Sequence, residues 1–347
     1  MQAATILIIV LSHQGYWFGG QDQSVSVIWP VDQKLPAVDV HWELMLGKVK
    51  ISDGQLHLPG GQGESSITIK LPPVRARLEM NWKYSLFQTD GGKELGSGQC
   101  AVHVFPPLSL AQMASRLRGT KLYVIDRPDG LPALLAAAKI DATRVAATED
   151  LQSPKADLVL VAANRLDDSP FAQAPLLSQA QAGAQVMIFR QTKPKSLLGY
   201  PLARRTLPPQ LTWRQDHPLL QCLDADDLAS WFVDESNELN AIRLPADEPV
   251  LELAAWPRET AGTDPVPIDA LALVKAVGKG RIVLWQIPLG DWKSDPRSQM
   301  VLQNALNYML TPPEPTPRPS ERATTAPTSV VSPFPVPTIS IPSGDHP

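Results

Sequence analysis

Gly278–Leu310 reads GKGRIVLWQIPLGDWKSDPRSQMVLQNALNYML, and this stretch decides the fold of the second half of the chain. Arg281–Ile287 is a short, nearly unbroken apolar run with branched residues and one Trp. A strand buried on both faces of a sheet has this pattern. Gly278 and Gly280 punctuate its start. After a loop over Pro288–Ser294, Asp295-Pro296 has the form of a helix opening, with Asp as N-cap and Pro at the first helical position. Val301, Leu302, Ala305, Leu306, Met309 and Leu310 then recur at helical spacing. Gln299, Gln303 and Asn307 fall on the opposite face. Buried strand, loop and closing helix together make the last unit of an α/β domain.

The residues upstream extend the same alternation. Helical patterns at Leu108–Leu117, Leu131–Ala138 and Pro170–Ala182 are interleaved with apolar runs at Lys121–Ile125, Thr143–Ala147, Ala156–Ala162 and Gln185–Phe189. Gly183 is placed to stop the third helix. Strands alternating with helices predict a mostly parallel sheet covered on both faces. Gln191–Pro249 is less regular, with a short helix expected over Asp224–Phe232. Val250–Ala255 and Ala270–Val277 read as two further strands of antiparallel sense.

Before Phe105-Pro106-Pro107 the period is two. Alternation runs through Ser24–Trp29, Val38–Leu46, Ser66–Leu71, Arg75–Leu86 and Gln99–Phe105. Val49–Ile51 and Gln55–Leu58 read as short strands either side of a tight turn at Asp53-Gly54. Seven or eight short strands in about ninety residues, with no helical periodicity, predict an antiparallel sandwich of the immunoglobulin class. The Cys…Trp…Cys signature of antibody domains is absent.

The 347 residues suffice for two domains, and 44% apolar content is ordinary for a globular chain. A formal net charge of −4 without a basic stripe argues against nucleic acid as a partner. Cys100 and Cys222 match no metal spacing and read as two unrelated thiols. The apolar run Ala3–Leu11 fits a first strand, the start of a chain cut from something longer, or a weak signal peptide. It is too short to span a bilayer. A signal would place the chain in the periplasm or outside the cell; otherwise it is cytoplasmic. Thr311–Pro347 holds eleven Pro and eleven Ser or Thr, a composition that predicts disorder. The boundaries drawn are thus 1–14 for the apolar segment, 15–106 for the sandwich, 107–311 for the α/β domain and 312–347 for the tail.

Several stretches carry a resemblance. They are Trp17-Phe18-Gly19-Gly20-Gln21-Asp22 with Val25–Trp29, Val40-His41-Trp42-Glu43-Leu44, Ile69-Lys70-Leu71-Pro72 and Val104–Pro107. Asp216-His217-Pro218-Leu219, Asp226-Asp227-Leu228-Ala229-Ser230-Trp231 and the Gly278–Ile287 strand with its helix follow in the same order. In that order the chain resembles the non-catalytic C-terminal region of bacterial family 2 glycoside hydrolases, the β-galactosidase relatives. The resemblance spans roughly residues 15 to 311. It implies an immunoglobulin-like β-sandwich followed by a doubly wound α/β domain of the glutamine amidotransferase (flavodoxin-like) type. It also implies a setting in carbohydrate metabolism. A (β/α)₈ barrel of about 200 residues or more has no room here, so the hydrolases' two catalytic carboxylates have no counterpart.

An amidotransferase fold implies a Cys-His-Glu triad with its nucleophile on a sharp strand-to-helix turn. After Gln185–Phe189 the chain reads RQTKPK, without Cys, Ser or a glycine pair. After Arg281–Ile287, where His-x-Glu belongs, it reads PLGDWK. Cys222 sits in HPLLQCLDADD, which is no elbow. The residues therefore point to a non-catalytic accessory or interaction module, with a carbohydrate-binding module or a hydrolase subunit with an unrecognised site at the α/β sheet edge as the alternatives, and no cofactor or metal site is expected. His217 reads as a capping or packing residue. Asp224, Asp226 and Asp227 read as an acidic helix start. Gly278-Lys279-Gly280 lacks P-loop spacing. Trp17, Trp29, Trp42 and Trp82 are candidates for stacking on sugars, although strand alternation accounts for most of them as core; periodicity leaves Trp17 and Trp292 less explained. Open α/β sheets bind ligands at the carboxyl ends of their strands. That edge holds Asp126, Arg127, Asn164, Arg190, Asp291 and Trp292, the candidate ligand-binding residues. The expected partners are a separately encoded glycosidase catalytic domain, a second copy of the chain, or a carbohydrate, with no transmembrane span.

Overall fold

The computed structural model describes residues 8–11, 15–28, 37–59, 64–107, 110–151, 155–206, 211–232, 238–257 and 266–312. Trp29, the first seven residues and the Pro-rich tail lie outside them. Strands predominate, nineteen against five α-helices among the described residues. The chain divides into two compact units, one ending at Leu108 and the other starting at Ser109.

The first unit contains β1 (Ile8–Leu11), β2 (Tyr16–Phe18), β3 (Asp22–Ile28), β4 (Val38–Leu46), β5 (Val49–Leu58), β6 (Glu64–Lys70), β7 (Leu78–Gln88) and β8 (Glu94–Phe105). They form a three-stranded sheet, β1-β3-β6, and a five-stranded sheet, β2-β8-β7-β4-β5. Val25, Val27, Ile67 and Ile69 of the first share one core with Val40, Leu44, Trp82, Val102 and Val104 of the second. The apolar run near the N-terminus supplies β1, antiparallel to β3.

Two expectations for this unit are corrected. Asp53-Gly54 is not a turn: β5 runs unbroken from Val49 to Leu58 against β4, and the reversal comes earlier, at Gly47-Lys48, with Gly47 at φ +58. Gly54 is required for a different reason. It lies opposite Trp42, and a Cβ there would come within 2.7 Å of the indole. The ring covers the bare backbone, a packing that only glycine admits. The second correction concerns strand sense, because β2 pairs with β8 in parallel. Trp17 on β2 is fully buried in the shared core, as is Trp82, and Trp42 is 6% exposed, so none of these three offers a face to a sugar.

The second unit contains α1 (Leu110–Arg116), β9 (Leu122–Ile125), α2 (Leu131–Ala137), β10 (Thr143–Val145), β11 (Leu158–Val161), α3 (Pro170–Gln181) and β12 (Gln185–Ile188). Then come β13 (Ser196–Leu197), β14 (Tyr200–Thr206), β15 (Thr212–Trp213), α4 (Ala225–Ala229), β16 (Glu238–Leu244), β17 (Leu251–Ala255), β18 (Ile268–Val277), β19 (Gly280–Trp285) and α5 (Pro296–Met309). Eleven strands form one sheet. Its first part, β10-β9-β11-β12-β19, is parallel throughout. The rest is antiparallel, with β18 pairing β16, β17 and β19. The irregular middle thus supplies the extra strands β13 to β16. Every residue of β11, β12 and β19 is buried, so both faces of these strands are covered, as their continuous apolar runs predict.

Gly280 opens β19 where the chain passes α3; a Cβ would lie 2.1 Å from the Ala184 carbonyl oxygen. At the other end of the stretch, the Asp295 side chain accepts the Arg297 backbone N–H at 2.9 Å and caps α5, with Pro296 first in the helix. The polar face expected on α5 is only partly solvated: Gln303 and Asn307 are half-buried, and Gln299 is buried. Gln299 is 9% exposed and donates to the Lys293 carbonyl; Asn304 donates to the Leu219 and Gln221 carbonyls; Asn307 accepts from Arg116 on α1. These amides join the helix to neighbouring segments.

Candidate functional site

The carboxyl ends of β9, β11, β12 and β19 carry the candidate residues. Asp126 follows β9 directly, and its side chain is 8% exposed. One oxygen accepts the Arg127 backbone N–H at 2.7 Å and Arg165 Nε at 3.1 Å; the other accepts the Leu131 backbone N–H, at the start of α2, at 2.8 Å. Arg144 Nε donates to the Asp126 carbonyl at 2.9 Å. Asp126 is therefore consumed by its own surroundings: it holds the first turn of α2 and closes an ion pair between the ends of β9 and β11. Arg127 is exposed beside it.

Asn164 follows β11 with φ +58, in the left-handed region that Asn tolerates better than most residues. Its Oδ1 accepts from the backbone N–H and hydroxyl of Thr192, at 2.9 and 2.6 Å. Its own N–H donates to the Arg190 carbonyl at 2.9 Å. Asp291 accepts the Ser294 hydroxyl at 3.0 Å within the turn that leads into α5. Trp292 meets Phe189 edge-on, with centroids 5.0 Å apart. The strand ends thus bring Asp126, Asn164 and the Arg190 backbone to one edge, and Trp292 reaches that edge through Phe189. Asp291 serves its own turn.

The centre of the edge is a residue absent from that set. Gln191 is fully buried. Its Nε2 donates to the Ala162 carbonyl at 2.9 Å and the Phe189 carbonyl at 2.6 Å, and its Oε1 accepts the Arg165 and Leu166 backbone N–H groups at 2.9 Å each. One side chain satisfies four backbone groups where β11 and β12 end. Gln286, 1% exposed at the end of β19, accepts the Gln191 backbone N–H at 3.1 Å. The only sequence signal for Gln191 is a polar residue directly after a buried run, which also describes an ordinary loop. Gln286 is a lone amide inside the apolar run Arg281–Ile287.

No family model and no curated protein matches the chain. Solved structures are similar to part of it, among them the following two. The CARDB domain of the PF1109 protein of Pyrococcus furiosus, in complex with di-metal ions, is 12% identical, with a TM-score of 0.22 over 29% of this chain and 88% of that one. A Niemann-Pick type C2 protein from the Japanese carpenter ant is 10% identical, with a TM-score of 0.21 over 29% of this chain and 89% of that one. At scores this low neither likeness extends to function.

The other candidates also serve the fold. His217 Nδ1 accepts the Leu219 backbone N–H at 3.2 Å, capping a short 3-10 turn, and its ring meets Tyr308 edge-on at 4.7 Å. Burial, followed by the nearby Arg214 charge, lowers its pKa to about 4. The unfolded state takes up a proton near pH 6.5 while the folded state does not until about pH 4. Stability is therefore whole above pH 6.5 and falls as pH drops towards 4, by at most about 3 kcal/mol. Replacing His217→Gln should flatten urea-midpoint curves across this window; an unchanged slope would assign the acid sensitivity elsewhere. Asp227 is fully buried and accepts the Asp224 backbone N–H at 2.8 Å at the start of α4, the structural role expected of this acidic run. Cys100 and Cys222 are both free thiols. Burial raises the Cys100 pKa to about 11 and keeps its thiol protonated. Among the described residues no three His, Cys, Asp or Glu side chains gather to hold a metal, and no helix is long and apolar enough to cross a membrane.

Proposed function

We propose that the chain is a non-catalytic accessory or interaction module of a carbohydrate-processing system, similar to the C-terminal region of family 2 glycoside hydrolases. In this reading the first unit is an immunoglobulin-like sandwich. The second is a doubly wound, amidotransferase-like domain carrying an antiparallel extension. The parallel strand order supports the second assignment: counted from the first strand of that unit, β10-β9-β11-β12-β19 is 2-1-3-4-5, the flavodoxin-like order.

The Gln191–Gln286 contact carries the functional part of the proposal. In an amidotransferase the nucleophile follows the fourth of these strands and its base the fifth. Here each place holds a buried glutamine bound to the backbone. A carboxamide is neither a nucleophile nor a proton acceptor at ordinary pH. At the crevice between the first and third strands, where this strand order places its ligands, the Asp126–Arg165 pair stands in the way. Such an edge suits a scaffold whose partner is another protein.

Light scattering of the purified chain, with pull-down against glycoside hydrolase catalytic domains, tests the proposal. Self-association or capture of a catalytic domain is expected. A strictly monomeric chain that captures none contradicts it.

A further inference from the structure

A second charged cluster lies in the antiparallel part of the large sheet. Asp269, at the start of β18, has a side chain only 5% exposed. Arg243 on β16 meets it side-on, with Nε 2.9 Å and Nη2 3.1 Å from the two carboxylate oxygens. Arg205 on β14 brings its Nε to 2.7 Å from the second oxygen. Two guanidiniums thus share one carboxylate, and neither meets another acid among the described residues. One positive charge is left over. Both arginine side chains remain 42% exposed.

The donors are also incompletely used. Arg205 Nε is buried yet makes no well-directed hydrogen bond, so Arg205 is held by charge alone. Arg243 has committed Nε and Nη2 to Asp269, leaving Nη1. A guanidinium fork matches the two oxygens of a carboxylate or phosphate. The Trp256 backbone N–H donates to the Asp269 carbonyl at 2.9 Å, and its indole N–H donates to the Thr206 carbonyl at 3.1 Å, which ties β14 and β18 together beside the cluster.

We propose that Arg205 and Arg243, anchored by Asp269 across β14, β16 and β18, form a binding site for one oxyanion, a carboxylate or a phosphate. Asp269 is the built-in competitor that pre-orients both guanidiniums and holds the affinity down. The site is independent of the carboxyl-end edge described above.

NMR titration of the intact chain, following arginine Nε–H signals, tests this with inorganic phosphate in one arm and glucuronate in the other. Saturable shifts at Arg205 and Arg243 in the millimolar range are expected. Saturation by phosphate alone assigns a phosphate-type ligand, and saturation by glucuronate assigns a carboxylate carried on a sugar. Arg205→Gln leaves the Arg243–Asp269 pair intact and should weaken binding about tenfold, the loss of one charge-assisted contact. Asp269→Asn should act in the opposite direction and tighten binding, because the competing carboxylate is gone. Absence of saturation in both arms, equal affinity in Arg205→Gln, or weaker binding in a folded Asp269→Asn chain overturns the proposal.

Discussion

Replacing Gln191→Ala should destabilise the second unit by about 3–6 kcal/mol, seen as a lower urea midpoint for that unit. The side chain is fully buried and satisfies two carbonyls and two N–H groups. Each buried backbone group left without a partner costs about 1–3 kcal/mol, and water entering the vacated space recovers only part of it. Gln191→Glu is the sharper comparison. The shape is kept, but an oxygen replaces Nε2 against the Ala162 and Phe189 carbonyls. A loss comparable to that of the Ala variant is expected, and it should ease at low pH where the carboxyl is protonated. If Gln191→Ala leaves the midpoint unchanged, the amide is not the pin between β11 and β12, and its burial needs another explanation.

The second large effect is expected at the start of α5. Asp295 accepts the Arg297 backbone N–H and Nε at 2.9 Å each, Arg297 Nη2 at 2.7 Å and Trp231 Nε1 at 2.8 Å. Arg297 Nη1 reaches the Asp227 carbonyl at 2.9 Å, and its guanidinium lies 4.7 Å from the Trp231 ring centre. Both charged side chains are at least nine-tenths buried. Removing one partner of such a pair strands the other, at a cost of about 3–5 kcal/mol. Arg297→Met should therefore lower stability by that amount in urea unfolding followed by Trp fluorescence. Adding Asp295→Asn removes the stranded charge while keeping the acceptor for Trp231, and should restore about half of the loss. A double variant as unstable as the single one would show that packing around Arg297, rather than the unpaired carboxylate, sets the cost.

These two sites mark where the sequence is readable and where it is not. Asp295-Pro296 could be read directly, because an N-cap followed by proline is a local pattern that the helix itself requires. The buried strands β11, β12 and β19 were equally plain from their unbroken apolar runs. Asp53-Gly54 misled because glycine has two uses: it turns a chain, and it makes room for a neighbour. Only the position of the Trp42 ring, twelve residues away in sequence, decides between them. The parallel pairing of β2 with β8 depends on how a short segment re-enters the sheet, and a period of two does not encode strand sense. Asp126, Asn164 and Trp292 follow from where the strands end, and in the structure the first two cap α2 and close a loop. Gln191 and Gln286 are not legible in the sequence, because an amide has no signature of its own. What it does depends on which backbone groups converge on it, and those come from segments far apart in the chain.

The proposal that the carboxyl edge of the sheet is structural rather than chemical is tested most directly by assaying the intact chain for ammonia release from glutamine and for aglycone release from a panel of aryl glycosides. The predicted result is product formation at the rate of buffer alone at every substrate concentration. The contradictory result is turnover that saturates with substrate and is lost in folded Asn164→Ala or Asp291→Asn chains.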